Sequence, residues 1–321
     1  MPPIRSEIAF DAEDATTLRG SLHVPEQPNR TALVMAHGFS GVRSQIEHYA
    51  VAFADRGYTV LLFDHRSFGT SDGAPRHEMD PHRQGQDWKA AITWMLGHPD
   101  LDLSGRVGIW GSSLAGGVAI AVGAEDDRVG CVVAQIPHVS GYWNASELYS
   151  PHQLAALRDK MRADRVNRLH GGEAHHLPVF TVSEDELCAL PPAVSPRYLK
   201  AVQESAPTWS NEVTLRSIEN VLAFEPAGVV PYLGPTPFLM IVGDRDTCTV
   251  THLQLDAYER ATEPKQLVRH PGGHFDTYNE HFEQTARAAI DWFDRHLITP
   301  DTRTLTGSAS HTVKAQTPTE R

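Results

Sequence analysis

Two adjacent serines carry the clearest chemical signal in this sequence of 321 residues. Residues 111–115 read Gly-Ser-Ser-Leu-Ala and follow the apolar run at 107–110. A strand that ends in Gly-x-Ser-x-small and passes directly into a helix is typical of a nucleophile elbow, a sharp turn that raises one serine Oγ above the sheet. The same pattern also fits a strand end followed by a glycine-rich loop, so other parts of the sequence must distinguish the two interpretations.

The flanking residues indicate which serine is the candidate nucleophile. The strained turn leaves room only for small residues two positions before and after the nucleophile. Centred on Ser113, these positions hold Gly111 and Ala115. Centred on Ser112, they would hold a tryptophan and a leucine. The sequence therefore predicts Ser113 as the nucleophile.

A serine nucleophile needs a base and an acid that orients the base. The loop after the apolar run at 237–242 contains two acids, Asp244 and Asp246. Asp246 lies further into the loop and can reach across to a histidine, so it is the predicted acid. Asp244 is expected to be a loop-cap or surface carboxylate.

Two histidines compete for the role of base. His274 follows Gly272 and Gly273, which let the chain turn toward the nucleophile, whereas His270 ends the preceding strand. We predict His274 as the base and expect His270 on an exposed strand face. The order Ser113, Asp246, His274 is the chain order of one known arrangement of this triad.

Other residues are candidates for binding the substrate. The backbone N–H groups of Leu114 and of Phe39, in a His-Gly-Phe loop after the strand at 31–36, are the predicted oxyanion hole. His138, Tyr142 and Trp143 follow the strand at 130–136 and are predicted to form a wall of the substrate pocket.

The elements around these residues alternate between strands and helices. Segments 4–11 and 16–24 are expected to form an antiparallel pair, and further continuous apolar strands are predicted at 31–36, 58–63, 106–110, 130–136, 237–242 and 266–269. Continuous apolar strands alternating with helices predict an α/β fold with a mostly parallel sheet covered on both faces. Reactive groups collect at the carboxyl ends of such strands.

The alternation stops between residues 139 and 230, where no convincing core strand is found. Helix starts are predicted at Ser150-Pro151 and Ser195-Pro196, and a third helix after Trp209. We therefore expect a helical cap insertion at 139–230, between a first core part at 1–138 and a second at 231–299. Residues 300–321 are rich in threonine and serine, and a disordered tail is predicted there.

Composition limits the class of partner. A net charge of −12 argues against nucleic acid or a membrane as the main partner. The 3 cysteines form neither a metal motif nor an even disulfide set. The first residues lack the features of a signal peptide, so a cytoplasmic location is expected. Four cap residues could be metal ligands, but a solvated surface is the favoured interpretation and no metal or cofactor is predicted; these are His170, Glu173, His175 and His176.

Several of these motifs together resemble the α/β-hydrolase superfamily. They are the His-Gly-Phe loop, the glycine-containing turn at 64–73, the elbow, and the loops carrying Asp246 and His274. The likeness extends over about residues 4–297 and is nearest to the dienelactone-hydrolase-like esterases. Dienelactone hydrolases proper use a cysteine nucleophile, and the dehalogenase and epoxide hydrolase branches use an aspartate, so Ser113 departs from all three.

The resemblance implies a serine hydrolase that cleaves an ester, lactone or thioester through an acyl-enzyme, without a cofactor. A small-molecule acyl compound is the expected substrate, and a homodimer is left open. Two alternatives are an acyltransferase that uses the same acyl-enzyme and a non-catalytic binding protein on this fold.

Overall fold

A large mixed sheet organises the part of the chain that the structure, a computed structural model, describes: residues 3–298 except 104 and 193. The strands are β1 Ile4–Asp11, β2 Thr17–Val24, β3 Ala32–Ala36, β4 Thr59–Phe63, β5 Val107–Ser112, β6 Val129–Gln135, β7 His176–Pro178, β8 Glu212–Thr214, β9 Phe238–Gly243 and β10 Lys265–His270. The helices are α1 Glu47–Asp55, α2 Pro81–Gly97, α3 Leu114–Glu125, α4 Gly141–Leu148, α5 Pro151–Leu169, α6 Pro196–Ser205, α7 Leu215–Leu222, α8 Thr251–Glu259 and α9 Phe282–Leu297.

Eight of these strands form the main sheet, in the order β1-β2-β4-β3-β5-β6-β9-β10. β1 pairs antiparallel with β2, and β2 with β4, while the pairs from β4 to β10 are parallel. The predicted mostly parallel sheet and the predicted antiparallel pairing of the first two strands are therefore confirmed, and the structure places this pair at one edge. Because the parallel strands point the same way, β5, β9 and β10 bring the loops after them to one edge of the sheet.

Helices cover both faces of the sheet, so the central strands are buried on both sides. All five residues of β4, Thr-Val-Leu-Leu-Phe, are buried. Trp88 of α2 packs in the core on one face, and Phe53 of α1 packs against Phe293 of α9 on the other. A strand buried on both faces has no polar side to alternate with, which is why these strands read as continuous apolar runs.

The chain between β6 and β9 contributes α4 to α7 and a separate two-stranded sheet. α5 begins as predicted: Ser150 Oγ accepts from the N–H of Gln153 at 3.2 Å, and Gln153 Oε1 accepts from the N–H of Ser150 at 2.9 Å. α6 also begins as predicted, with Ser195 Oγ accepting from the N–H of Tyr198 at 3.1 Å. We refer to residues 139–230 as the cap segment.

The antiparallel pairing of β7 with β8 was not predicted from the sequence. Each strand has three residues, which is too short to show the alternation by which a strand is recognised. The predicted disordered tail at 300–321 lies outside the described residues.

Candidate active site

The turn between β5 and α3 holds Ser113 in a strained backbone conformation. Its φ is 59° and its ψ is −124°, a region that non-glycine residues rarely occupy and that costs about 1–3 kcal/mol. A Cβ atom on Gly111 would lie 2.1 Å from the carbonyl oxygen of Ala115. The turn therefore excludes any side chain at position 111, which is the steric reason for the Gly-x-Ser-x-small pattern.

The two serines of the turn have different surroundings. Ser112 is fully buried, and its Oγ forms a 2.8 Å hydrogen bond with the hydroxyl of Tyr278. Ser113 lines a cavity of about 550 Å³. Only Ser113 therefore has its hydroxyl available to a bound molecule.

The predicted acid and base meet beside this cavity. β9 and β10 pair in parallel, so the loops that follow them are neighbours. His274 Nδ1 lies 2.9 Å from Asp246 Oδ2, and His274 lines the same cavity as Ser113. Asp246 Oδ1 accepts from the backbone N–H groups of Cys248 at 2.8 Å and Thr249 at 2.9 Å. The carboxylate is thus held by backbone donors on one oxygen and faces the imidazole with the other.

Electrostatics keep this carboxylate ionised. Burial alone would raise the pKa of Asp246, but the electrostatic interaction with His274, the hydrogen bond to its ring and the two backbone N–H groups outweigh burial and lower the pKa to about 2. Asp246 is therefore negatively charged at neutral pH and can stabilise an imidazolium at His274.

The competing acid and histidine lie elsewhere. Asp244 is partly exposed and accepts from Arg269 Nε at 2.7 Å, as expected of a surface carboxylate. His270 is buried, so the expectation of an exposed strand face was wrong. Its Nδ1 accepts from the N–H of Gly272 at 3.2 Å and its Nε2 lies 2.9 Å from the hydroxyl of Thr277. Both ring nitrogens of His270 are therefore used in holding the loop that carries His274.

The predicted oxyanion donors come from the two segments that approach Ser113. Leu114 is the first residue of α3, and Phe39 lies in the loop after β3. Within the described residues, neither backbone N–H donates to another group. A Cβ on Gly38 would lie 3.5 Å from Ser113 Oγ and 3.0 Å from Ser112 O. The loop after β3 therefore packs directly against the turn that carries Ser113.

A buried histidine supports this loop. His37 Nε2 accepts from the N–H of His65 at 3.1 Å, so the neutral ring carries its proton on Nδ1, which donates to the carbonyl of Gly38 at 3.0 Å. Burial lowers the pKa of His37 and keeps the ring neutral. Asp64, at the start of the turn at 64–73, accepts from the N–H of Arg43 at 2.8 Å and from the N–H of Thr70 at 3.0 Å.

The cavity beside Ser113 has a volume of about 550 Å³. The cap segment supplies Phe180, Tyr198 and Trp209 to its wall, and the loop after β10 supplies Phe275. The side chain of Phe180 lies against the other three, with ring centroids 5.8 to 6.3 Å apart. None of the described residues that line this cavity is an aspartate, glutamate, lysine or arginine. The cavity is therefore suited to an apolar group without formal charge.

The three residues predicted to form the pocket wall lie outside it. His138 is buried and stacks on Phe224, while Tyr142 and Trp143 are 57% and 61% exposed. None of the three lines the cavity. The three residues follow β6 closely in the sequence, but this does not bring their side chains to the cavity. α4 instead directs Tyr142 and Trp143 to solvent, and later parts of the cap segment form the wall.

Thr249 and Cys248, which surround Asp246 and His274, were not among the predicted site residues. Thr249 Oγ1 lies 2.9 Å from Asp246 Oδ2, 2.9 Å from the carbonyl of Ile136 and 3.2 Å from His274 Nδ1. An aspartate in a turn commonly accepts from the backbone N–H two residues on, which accounts for the contact with Cys248 but does not identify Thr249. Cys248 also lines the cavity, and burial raises the pKa of its thiol.

The fold and this site define the chain as an α/β-hydrolase. The model of the X-Pro dipeptidyl-peptidase (S15) family matches residues 14–276, so the chain belongs to that family. The resemblance to the α/β-hydrolase superfamily is thereby confirmed, and the chain is an enzyme of this type.

Relatives that match most of the chain are named for several different activities. A polyketide transferase, grgF from Penicillium sp, is 30% identical and the match covers 91% of this chain and 97% of grgF. A thiohydrolase, aneE from Aspergillus aculeatus, is 30% identical over 82% of this chain and 83% of aneE. The quorum-quenching protein AidA from Acinetobacter baumannii is 28% identical over 92% of this chain and 96% of AidA. The crystal structure of GrgF superposes with a TM-score of 0.80 at 29% identity, covering 92% of this chain and 100% of that structure.

Among the described residues, no helix has the length and apolar character needed to cross a bilayer.

Proposed function

We propose that this enzyme cleaves an ester, lactone or thioester of an extended apolar acyl group through an acyl-enzyme on Ser113. The observation that carries the proposal is the 2.9 Å contact between His274 and Asp246 beside a cavity that Ser113 also lines. A serine at a strained elbow, a histidine and a buried ionised carboxylate are the three groups that acyl transfer by a serine requires.

In the proposed reaction, Ser113 Oγ attacks the substrate carbonyl carbon while His274 Nε2 takes the hydroxyl proton. The N–H groups of Phe39 and Leu114 donate to the oxyanion of the tetrahedral intermediate. The intermediate collapses, the bond to the alcohol or thiol breaks, and His274 returns the proton to the leaving group. Water then attacks the acyl-enzyme with His274 again as base, which releases the acid and regenerates Ser113. Asp246 orients His274 and stabilises its charged form in both halves of the reaction.

The cavity lining supports an uncharged acyl group rather than a peptide with a free amino terminus. An enclosed ammonium group needs a partner of opposite charge, because an unpaired buried charge is strongly unfavourable. The described lining residues include no carboxylate. They include an aromatic wall formed by Phe180, Tyr198, Trp209 and Phe275. The family name therefore describes ancestry, and we do not propose dipeptidyl-peptidase activity.

An acyltransferase is the second candidate, because a relative of 30% identity is named a polyketide transferase. It would form the same acyl-enzyme and differ only in the acceptor, an alcohol or amine in place of water. The relative of 30% identity named a thiohydrolase favours water as the acceptor. Both names are compatible with thioester substrates.

The test is a substrate series with graded acyl groups. We expect p-nitrophenyl esters and the matching thioesters to show kcat/KM rising with acyl length, and Gly-Pro p-nitroanilide to remain uncleaved. The products formed in the presence of an added alcohol separate the two candidates. Release of the free acid alone indicates a hydrolase. Formation of an ester of the added alcohol, at the same total rate of substrate consumption, indicates a transferase. Turnover that survives Ser113→Ala, or cleavage of the dipeptide anilide in preference to every ester, would contradict the proposal.

A further inference from the structure

Three metal-ligating side chains converge where the cap segment meets the core. His77 lies in the loop between β4 and α2, His176 begins β7 and Glu212 begins β8. One donor atom from each lies within 4.8 Å of the other two. None of the three lines the cavity beside Ser113, so the cluster is separate from the candidate active site.

The small sheet of the cap segment places two of the ligands on one face. β7 and β8 pair antiparallel, with His176 opposite Thr214 and Pro178 opposite Glu212. Residues two apart along a strand point to the same face, so His176 and Glu212 are diagonal neighbours.

The third ligand belongs to the core and has a fixed backbone. His77 has a φ of 60°, in the left-handed region. Its N–H donates to the carbonyl of Ser67 at 2.9 Å, and its own carbonyl accepts from the N–H of Thr214 at 3.1 Å and from Ser217 Oγ at 3.3 Å. The core loop and β8 are therefore joined directly beside the cluster.

The contact between His77 and Glu212 has the distance of a hydrogen bond but not its direction. His77 Nδ1 is 3.0 Å from Glu212 Oε1, yet this buried nitrogen makes no properly directed hydrogen bond among the described residues. A nitrogen and a carboxylate oxygen that are close together without pointing at each other can both point at a third atom.

The spacing fits a small divalent cation. Zinc is bound tetrahedrally by histidine nitrogen and carboxylate oxygen at about 2.0–2.2 Å, so two ligands of one ion lie about 3.3–3.6 Å apart. The three donors, which lie within 4.8 Å of one another, must therefore come closer by side-chain rotation to bind one ion. His176 is exposed and the Glu212 side chain is 45% exposed, so both can rotate.

We propose that His77, His176 and Glu212 bind a divalent transition-metal ion of the zinc type, which fastens the cap segment to the core. Two imidazoles and one carboxylate are a donor set for zinc, whereas calcium and magnesium take oxygen ligands. Arg76, the nearest cation in sequence, directs its guanidinium away to the carbonyls of Gly69 and Ser71. Three protein ligands leave a coordination position for water.

Untagged, metal-free protein titrated with ZnCl2 in a calorimeter tests the site. We expect one saturable ion per chain, and His176→Ala and Glu212→Gln should each weaken the affinity by at least about tenfold, since even an outer-shell change costs about 10–100-fold. His170→Ala is the matched control, because His170 is an exposed histidine of the same segment outside the cluster. Its affinity for zinc should equal that of the wild type.

Two further measurements separate a specific site from adventitious binding to surface histidines. Zinc should raise the thermal unfolding midpoint of the wild type and of His170→Ala, and should not raise that of His176→Ala. Co²⁺ should give visible absorption bands that Glu212→Gln alters. The proposal is overturned if the wild type shows no saturable binding, or if both ligand variants bind zinc as tightly as the wild type. None of these measurements depends on catalytic activity, so their results are independent of the proposed function.

Discussion

Replacing Asp246 by asparagine should hold His274, the predicted base, in the wrong tautomer. The hydrogen-bond donors around position 246 fix the orientation of the new side-chain amide. Asp246 Oδ1 accepts from the backbone N–H groups of Cys248 at 2.8 Å and Thr249 at 2.9 Å. An amide NH2 group cannot accept these bonds, so the amide oxygen of Asn must take this position. Its NH2 group then occupies the position of Oδ2, 2.9 Å from His274 Nδ1.

An NH2 group in that position donates to His274 Nδ1, which must therefore carry no proton. The neutral ring then has its proton on Nε2, the nitrogen that should accept the proton of Ser113. We expect kcat to fall by about 10⁴-fold, as in the template triad, which corresponds to about 5.4 kcal/mol of lost transition-state stabilisation. KM should change little, because Asp246 does not line the cavity.

The same substitution changes the dependence of stability on pH. The pKa of Asp246 is about 2 in the folded protein against an ordinary value of 3.8, so its ionised form stabilises the fold at and above pH 4. This contribution, about 2 kcal/mol, is lost as the pH falls from 4 to 2. Asp246→Asn has no such group to protonate, so its free energy of unfolding should fall less steeply over this range.

The assay compares Asp246→Asn with Asp244→Asn by steady-state ester hydrolysis, with circular dichroism to establish that both variants are folded. Asp244 is exposed and paired with Arg269, a type of contact worth about 0–1 kcal/mol, so its variant should keep nearly full activity. Denaturant titrations between pH 2 and 5 measure the stability difference. Folded Asp246→Asn with kcat within tenfold of the wild type, or a larger loss in Asp244→Asn, would refute the reasoning.

Three further changes probe the nucleophile, the turn and the cavity wall. A serine-directed phosphonate should add one mass increment at Ser113, and Ser113→Ala should lose both labelling and turnover; a label on the neighbouring serine would contradict the assignment. Gly111→Ala should destabilise the protein by at least about 1–3 kcal/mol in denaturant titrations, because its Cβ would lie 2.1 Å from a backbone oxygen. Gly97→Ala, where no atom lies within 4 Å of the new Cβ, should not, and equal losses would argue against the steric account. Tyr198→Ala should shift the preference between short and long acyl chains by at least about tenfold, since one methylene is worth about 10–200-fold. The exposed Tyr142→Ala should leave it unchanged, and the reverse result would place the pocket elsewhere.

The sequence alone was sufficient wherever the deciding forces act between residues close in the chain. The turn at Ser113 excludes side chains through contacts among five consecutive residues. The Gly-x-Ser-x-small pattern can therefore be recognised from the sequence alone. The helix starts at Ser150 and Ser195 are decided by hydrogen bonds that reach three residues along the chain. Strands buried on both faces appear in the sequence as continuous apolar runs. Their alternation with helices predicted the mostly parallel sheet and the edge at which the loops meet.

Tertiary structure decided which distant side chains share a space. His270 is buried because its loop folds back so that Gly272 and Thr277 bind its ring, which no property of an isolated strand indicates. The cavity wall comes from Phe180, Tyr198 and Trp209, which follow no common periodicity because they lie on different parts of the cap segment. Local rules describe short-range sterics and hydrogen bonds, whereas the wall of a cavity depends on how elements far apart in the chain pack, and that information exists only in three dimensions.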